Sequence, residues 1–199
     1  MHRWHEKHPV NLPPEAGGGQ IRIIAGDWRG RKLPVADLPG LRPTSDRVRE
    51  TVFNWLAPYI PGARVLDCFS GTGALSLEAL SRGAKEAVML EMATPAVKTL
   101  KSNLSLLKAD NGQVMGTNTL QFLSKPCPEP FDVIFLDPPF RQGMLEETCR
   151  LLQDNGYLHE QTILYIEVEK ELDPLPVPQG WQLLKSKQAG QVSFNLLSG

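Results

Sequence analysis

Val65-Leu66-Asp67-Cys68-Phe69-Ser70-Gly71-Thr72-Gly73-Ala74 is the stretch whose reading decides the fold. An apolar run, Arg64–Cys68, carries an acid near its end. A glycine-rich loop follows and opens a helix-favouring run, Ala74–Arg82, which Gly83 stops. The reading is strand, tight loop, helix, because glycine lets a backbone bend sharply and approach a ligand closely. The alternation continues downstream. Ala87–Glu91 reads as a strand, Pro95–Lys108 as a helix with proline in its first turn, Gln113–Gly116 as a short strand and Leu120–Leu123 as a helical turn. Phe131–Leu136 is a strand of nearly unbroken apolar character, Met144–Gln153 a helix and Thr162–Val168 another strand. Strands this apolar are buried on both faces, as parallel strands between helices are. The fold class is therefore α/β, a doubly wound and mostly parallel sheet.

The flanks differ. Upstream, Ile21–Ile24 and Lys32–Val35 are strand candidates around Gly26-Asp27-Trp28-Arg29-Gly30, which predicts a small β-hairpin bearing basic side chains. Pro43 and Thr44-Ser45 signal a helix start, and Val48, Val52, Trp55 and Leu56 fall on one helical face before Pro58 and Pro61-Gly62. Downstream, Pro174, Pro176 and Pro178 bar helix. Trp181–Ser186 and Gln191–Leu197 then predict an antiparallel hairpin that closes the sheet edge. Three segments result: a disordered tail over 1–19, an N-terminal hairpin and helix over 20–62, and the main domain over 63–199. His2, His5 and His8 share a spacing, but a solvated tail holds no ligands in place, so no metal is expected.

The chain of 199 residues is 41% hydrophobic and 22% charged, which suits one α/β domain with a small appendage. No apolar run reaches the length of a membrane span, and no secretory signal precedes the domain, so a cytoplasmic location is the default. Cys68, Cys127 and Cys149 lack the spacing of a metal or redox pair and read as reduced thiols. The net charge of -1 announces no polyanion partner. Its distribution does more, because seven basic residues between Gln20 and Arg49 face only three acids, Asp27, Asp37 and Asp46. Such a patch can steer a nucleic acid; the plain alternative is a solvated surface.

Three motifs carry chemistry. In the glycine loop, Ser76 takes the third position of the dinucleotide fingerprint, and an acid at the strand tip would repel a pyrophosphate. Asp67 suits instead a ligand with an ammonium group, as in the methionine part of S-adenosyl-L-methionine; the plain alternative is a ligand-free strand–helix turn. Glu91 ends the next strand, 24 residues after Asp67, near the spacing of an acid that accepts from ribose hydroxyls. Asp137-Pro138-Pro139-Phe140 directly follows the Phe131–Leu136 strand. Its prolines fix the backbone and remove two N–H donors, leaving a rigid elbow with an acid on one side and an aromatic ring on the other. A carboxylate and a carbonyl accepting an aromatic amine's two N–H groups favour the pyramidal nitrogen that attacks a methyl group, and the ring can stack on a base.

The elbow with Asp67-Cys68-Phe69-Ser70-Gly71-Thr72-Gly73 resembles the class I amino-methyltransferases. Gln20–Pro34, Gly40–Trp55 and Ala189-Gly190-Gln191-Val192 are similar to bacterial 16S ribosomal RNA guanine-N2 methyltransferases of the small subunit. The resemblance runs from about Gln20 to Leu197, with no longer C-terminal tail expected. It implies a seven-stranded class I methyltransferase sheet and S-adenosyl-L-methionine as cofactor. Asp67, Ser70, Gly71 and Gly73 would hold the methionine part, with Phe69 beside them; Glu91 would hold the ribose and Asn118 would sit by the adenine. Thr44 would reach the cofactor carboxylate. Asp137, Pro138, Pro139 and Phe140 would hold the target base, and Arg22, Arg29, Arg31, Lys32, Arg42 and Arg47 would contact phosphates. The implied partner is 16S rRNA within the small subunit or an assembly intermediate, with no membrane and a monomer as the default state. A DNA adenine-N6 methyltransferase, a protein-glutamine methyltransferase and a non-catalytic ribosome-assembly module are the alternatives. The first has little room here for a target-recognition domain, the second more often carries Asn at the elbow, and the third has no use for an intact Asp137.

Overall fold

The computed structural model of the protein describes residues 19–41 and 44–199. In chain order its elements are β1 (Gln20–Arg22), β2 (Lys32–Pro34), α1 (Asp46–Leu56), β3 (Arg64–Asp67), α2 (Ala74–Ser81), β4 (Glu86–Glu91) and α3 (Thr94–Leu106). There follow β5 (Gly112–Gly116), α4 (Thr119–Leu123), β6 (Phe131–Leu136), α5 (Met144–Asp154), β7 (Leu158–Glu169), β8 (Gln182–Ala189) and β9 (Val192–Ser198). Strands β1 and β2 form a separate antiparallel pair. The other seven form one sheet in the order β5-β4-β3-β6-β7-β9-β8. The five strands from β5 to β7 are parallel; β9 and β8 are antiparallel to their neighbours.

Side chains alternate across this sheet with period two. Val65, Val133, Phe135, Tyr165 and Phe194 face one core with Phe53, Leu77 and Leu100. Leu66, Ile134, Leu136, Ile166 and Leu197 face the other with Leu123, Cys149 and Leu152. Burial on both faces is what the unbroken apolar runs require. The first core also takes Ile21, Ile23, Leu33 and Val35 from the N-terminal segment, which packs outside α2. Every residue of α2 is therefore buried, between the sheet on one side and this segment on the other.

Boundaries shift from those read in the sequence for identifiable reasons. β1 ends at Arg22 because the N–H groups of Ile24 and Ala25 turn away to the Glu78 carboxylate, at 2.9 and 3.0 Å. Ser45, within the Thr44-Ser45 start signal, caps α1 by accepting from Val48 N. β7 begins at Leu158, ahead of the expected Thr162. Lys187-Gln188-Ala189, expected in the turn of the C-terminal hairpin, extend β8, because the reversal is completed at Gly190, whose φ is +59°. All three cysteines are free. No helix among the described residues is long and apolar enough to cross a membrane. The readings for residues 1–18 and Arg42 lie outside the described residues.

Candidate active site at the carboxyl edge of the sheet

The strand-to-helix loops of β3, β4, β5 and β6 open at one edge of the sheet, where open α/β sheets bind ligands. There they surround a cavity of about 1030 Å³. Thr44, Asp67, Phe69, Ser70, Gly71, Glu91, Asn118, Asp137, Pro138, Pro139 and Phe140 all line it. Eleven of the twelve residues read from the sequence as cofactor- or base-binding thus share one cavity. Gly73 is the exception.

Each is held for a local reason. Asp67, at the end of β3, is 1% exposed; its carboxylate accepts from Ser76 Oγ at 2.7 Å and, more loosely, from Phe69 N at 3.4 Å. Gly71 and Gly73 have φ of +52° and +78°, a region open to glycine at little cost. A Cβ on Gly73 would lie 2.4 Å from Leu100 Cδ2, so this glycine lets the loop close against α3 and starts α2 behind the cavity wall. A Cβ on Gly71 would meet Leu41 Cδ1 at 3.0 Å, because Leu41, from the segment 38–41 that also lines the cavity, reaches the loop. Glu91 accepts from Gly71 N and from Ala93 N, both at 2.8 Å, and lines the cavity. Asn118 caps α4 through Oδ1, which accepts from Gln121 N at 3.1 Å, and turns Nδ2 to Met92 Sδ.

The elbow follows β6 directly. Pro138 is buried while Phe140 is 37% exposed, an accessible aromatic face at the cavity mouth. Arg141 takes φ +59°, uncommon for a side chain, and its N–H donates to Glu169 Oε1 at 3.1 Å, which anchors the far end of the turn. No described residue donates a hydrogen bond to the Asp137 carboxylate.

One further acid enters from β7. Glu167 lines the cavity and is 8% exposed; the Tyr165 hydroxyl donates to its Oε2 at 2.9 Å. The sequence did carry a signal for it, a lone carboxylate in the apolar run Ile163–Val168. Burial pushes the Asp67 carboxyl up to about 7 against donation by Ser76. Burial, with the Glu167 and Asp67 charges nearby, pushes Asp137 well above the usual carboxylate range. Burial also raises Glu167, against donation by Tyr165. None of the three pairs with a described lysine or arginine. Such a surface favours a ligand bearing positive charge and N–H donors.

This geometry has close counterparts. The family model described as "Conserved hypothetical protein 95" matches residues 21–198. The chain belongs to that family. Among its relatives, ribosomal RNA small subunit methyltransferase D of Escherichia coli (strain K12) is 54% identical over 187 residues, covering 94% of each chain. The protein of the same name from Haemophilus influenzae is 49% identical, over 89% of this chain and 93% of its own. The solved Escherichia coli protein yhhF superposes with a TM-score of 0.85 and 51% identity, covering 90% of this chain and 98% of that one. The seven-stranded, mostly parallel sheet read from the family resemblance is thus the fold.

The basic residues do not share the cavity. Arg47 is exposed on the first turn of α1, whose start lines the cavity. Arg22 pairs with Asp46 at 3.3 Å, and Lys32 stands opposite Arg22 in the small hairpin. Arg29 and Arg31 lie at the hairpin tip, where Trp28 N donates to Ser81 Oγ and Arg31 Nη2 to Leu106 O. Ser81 and Leu106 end α2 and α3, so the tip sits about 12 Å down α2 from the glycine loop. Arg49, counted among the basic residues by sequence, is 1% exposed and bridges Asp46 and Glu78 instead.

Proposed function

We propose that the cavity binds S-adenosyl-L-methionine and that the enzyme transfers its methyl group to the exocyclic N2 amine of a guanine in 16S rRNA of the small ribosomal subunit. One observation carries this reading: the Asp137-Pro138-Pro139-Phe140 elbow opens into the same cavity as Asp67, Gly71 and Glu91. The residues suit the cofactor. Asp67 offers a buried carboxylate to an ammonium, Glu91 keeps lone pairs for ribose hydroxyls, and Thr44 reaches the carboxylate end. The volume lies at the upper end of the usual range for small-molecule sites, about 300–1,000 Å³, which leaves room for a base beside the cofactor.

The cofactor supplies an activated methyl group on sulfonium. The protein's work is therefore chiefly positioning. Asp137 and the Pro138 carbonyl accept the two N–H groups of the amine and orient its lone pair. Phe140 stacks on the base. Attack by the amine would take the methyl group and leave the donor sulfur as a neutral thioether, and Asp137 would accept the proton then released from nitrogen. The base has to leave its stack, at a cost of a few kcal/mol that is least for an unpaired nucleotide.

The segment 20–62 serves the RNA and the cofactor mouth, and 63–199 holds the methyl donor. Arg22, Arg29, Arg31, Lys32 and Arg47 trace a path from the cavity rim along the hairpin that an RNA backbone can follow. The enzyme acts as a monomer on the small subunit or an assembly intermediate.

The test is methyl transfer from labelled S-adenosyl-L-methionine to small subunits from cells lacking the enzyme, followed by nucleoside analysis. N2-methylguanosine formed by the wild type and not by Asp137→Ala is the expected result. Label on adenine or on protein would overturn the assignment. No label anywhere, with cofactor bound, would leave a non-catalytic binder.

A further inference from the structure

Neither the glycine loop nor the elbow accounts for Glu167. β6 and β7 run parallel with Leu136 opposite Ile166. One step nearer the carboxyl edge, Asp137 and Glu167 are therefore neighbours on the same face, since register partners on adjacent strands share a face. On its other side Glu167 stands opposite Phe194, which is 1% exposed and also lines the cavity. The three make a row across the cavity wall, acid, acid and ring. Tyr165, two residues earlier on the same face, donates to Glu167 Oε2. No other described residue bonds to this carboxylate, so Oε1 remains an acceptor. The surrounding strand is wholly apolar or aromatic from Ile163 to Val168. Burying a carboxylate there without a cation costs free energy that the fold alone does not repay. A ligand that donates a hydrogen does.

We propose that Glu167 is a specificity-determining residue that accepts the N1–H of the target guanine, beside the N2 amine oriented by Asp137. The inference rests on the guanine-N2 reading above. Guanine presents two adjacent donors on this edge, N1–H and the N2 amine. Neighbouring strands stand about 4.8 Å apart, so carboxylates from both can reach adjacent donors of one base. Adenine turns the acceptor N1 to the same place beside its amine. There it would face Glu167 Oε1, acceptor against acceptor, a repulsion that rejects the wrong base as the hydrogen bond selects the right one. Tyr165 holds the carboxylate by its second oxygen and keeps Oε1 aimed at the base.

The experiment uses the whole protein and small-subunit particles reconstituted with RNA carrying guanosine or 2-aminopurine riboside at the methylated position. 2-Aminopurine keeps the 2-amine but has an acceptor at N1. The wild type should favour guanosine in kcat/KM by about tenfold or more. Glu167→Gln, whose amide can donate to N1, should shift that preference towards 2-aminopurine by at least about tenfold, with S-adenosyl-L-methionine affinity within about twofold of the wild type. Glu167→Ala, with neither donor nor acceptor, should flatten the preference without reversing it. Equal use of the two bases by the wild type would overturn the proposal whether or not either variant folds. So would an unchanged preference in Glu167→Gln, or a loss of cofactor affinity with selectivity intact, which would assign Glu167 to the cofactor. A wild type that makes no N2-methylguanosine would remove the parent reading and this one with it; N2-methylguanosine with unaltered selectivity in Glu167→Gln removes only this one.

Discussion

The N–H of Gly71 donates a 2.8 Å hydrogen bond to the carboxylate of Glu91, so the acid at the tip of β4 holds the loop at the tip of β3. On the proposed reading, the residue that grips the ribose thereby also shapes the seat of the methionine part. Glu91→Ala should weaken S-adenosyl-L-methionine binding by more than one ribose contact is worth, about 100-fold rather than about tenfold, since a hydrogen bond to a charged group contributes about 1.5–3 kcal/mol. Calorimetry measures the affinity. Hydrogen exchange at Gly71 and Ala93 supplies the control, because both amides should lose protection in the variant without cofactor.

If Asp67 holds the cofactor's ammonium as proposed, cofactor binding should depend on pH. Unfolded, its carboxyl titrates near 3.8; folded, burial holds the proton up to about 7. The retained proton therefore stabilises the free protein fully below about 4, and that stabilisation is lost as pH rises through about 7. A cationic ligand requires the carboxylate, so its binding follows the opposite trend. Affinity should climb by up to about tenfold per pH unit from pH 5.5 and level off above about 7. Titration calorimetry over that range checks this, with Asp67→Asn expected to give a shallower rise, what remains coming from the buried acids Asp137 and Glu167 in the same cavity. A level wild-type curve would contradict it.

Gly26 is the point where the N-terminal segment presses on α2. Its φ is +84°, and a Cβ there would lie 1.9 Å from Ser81 O, the atom that accepts from Asp27 N. Gly26→Ala should destabilise by about 2–4 kcal/mol in urea unfolding. Gly30, with φ +82° and open space around it, separates strain from collision. Gly30→Ala should cost only about 1 kcal/mol.

Arg29 and Arg31, at the hairpin tip, test the path of the RNA. Replacing each with alanine should make log affinity fall less steeply with log salt, by about one in slope for every phosphate left without its cation. Filter binding at several salt concentrations reads this directly. An unchanged slope would route the RNA away from the tip.

Much of this was legible because the signals were local. Alternating apolar strands and periodic helices identified the sheet, and the glycine loop and the elbow announced their places at its edge. What escaped depended on residues distant in the chain. Arg49 counts as a surface cation until Glu78, in the buried helix α2, supplies its partner 29 residues away. Glu78 itself caps Ile24 and Ala25 and so cuts β1 short, which no window around residue 24 reveals. Gly73 fits a cofactor loop by motif, and its packing against Leu100 is known only once α3 is in place. Glu167 sat in plain view as an acid in an apolar strand, but its meaning came from register with Asp137.

The strand order β7-β9-β8 has a consequence for how the molecule is made. A ribosome releases β8 before β9, yet β8 touches the sheet only through β9. Until β9 emerges, β8 has nowhere to dock and β7 exposes an unpaired edge. Phe194, on β9, walls the cavity beside Glu167, so the cavity is among the last features to form. A nascent chain can shape much of the parallel sheet while still tethered, but the cavity wall is complete only after this strand slides in between the other two.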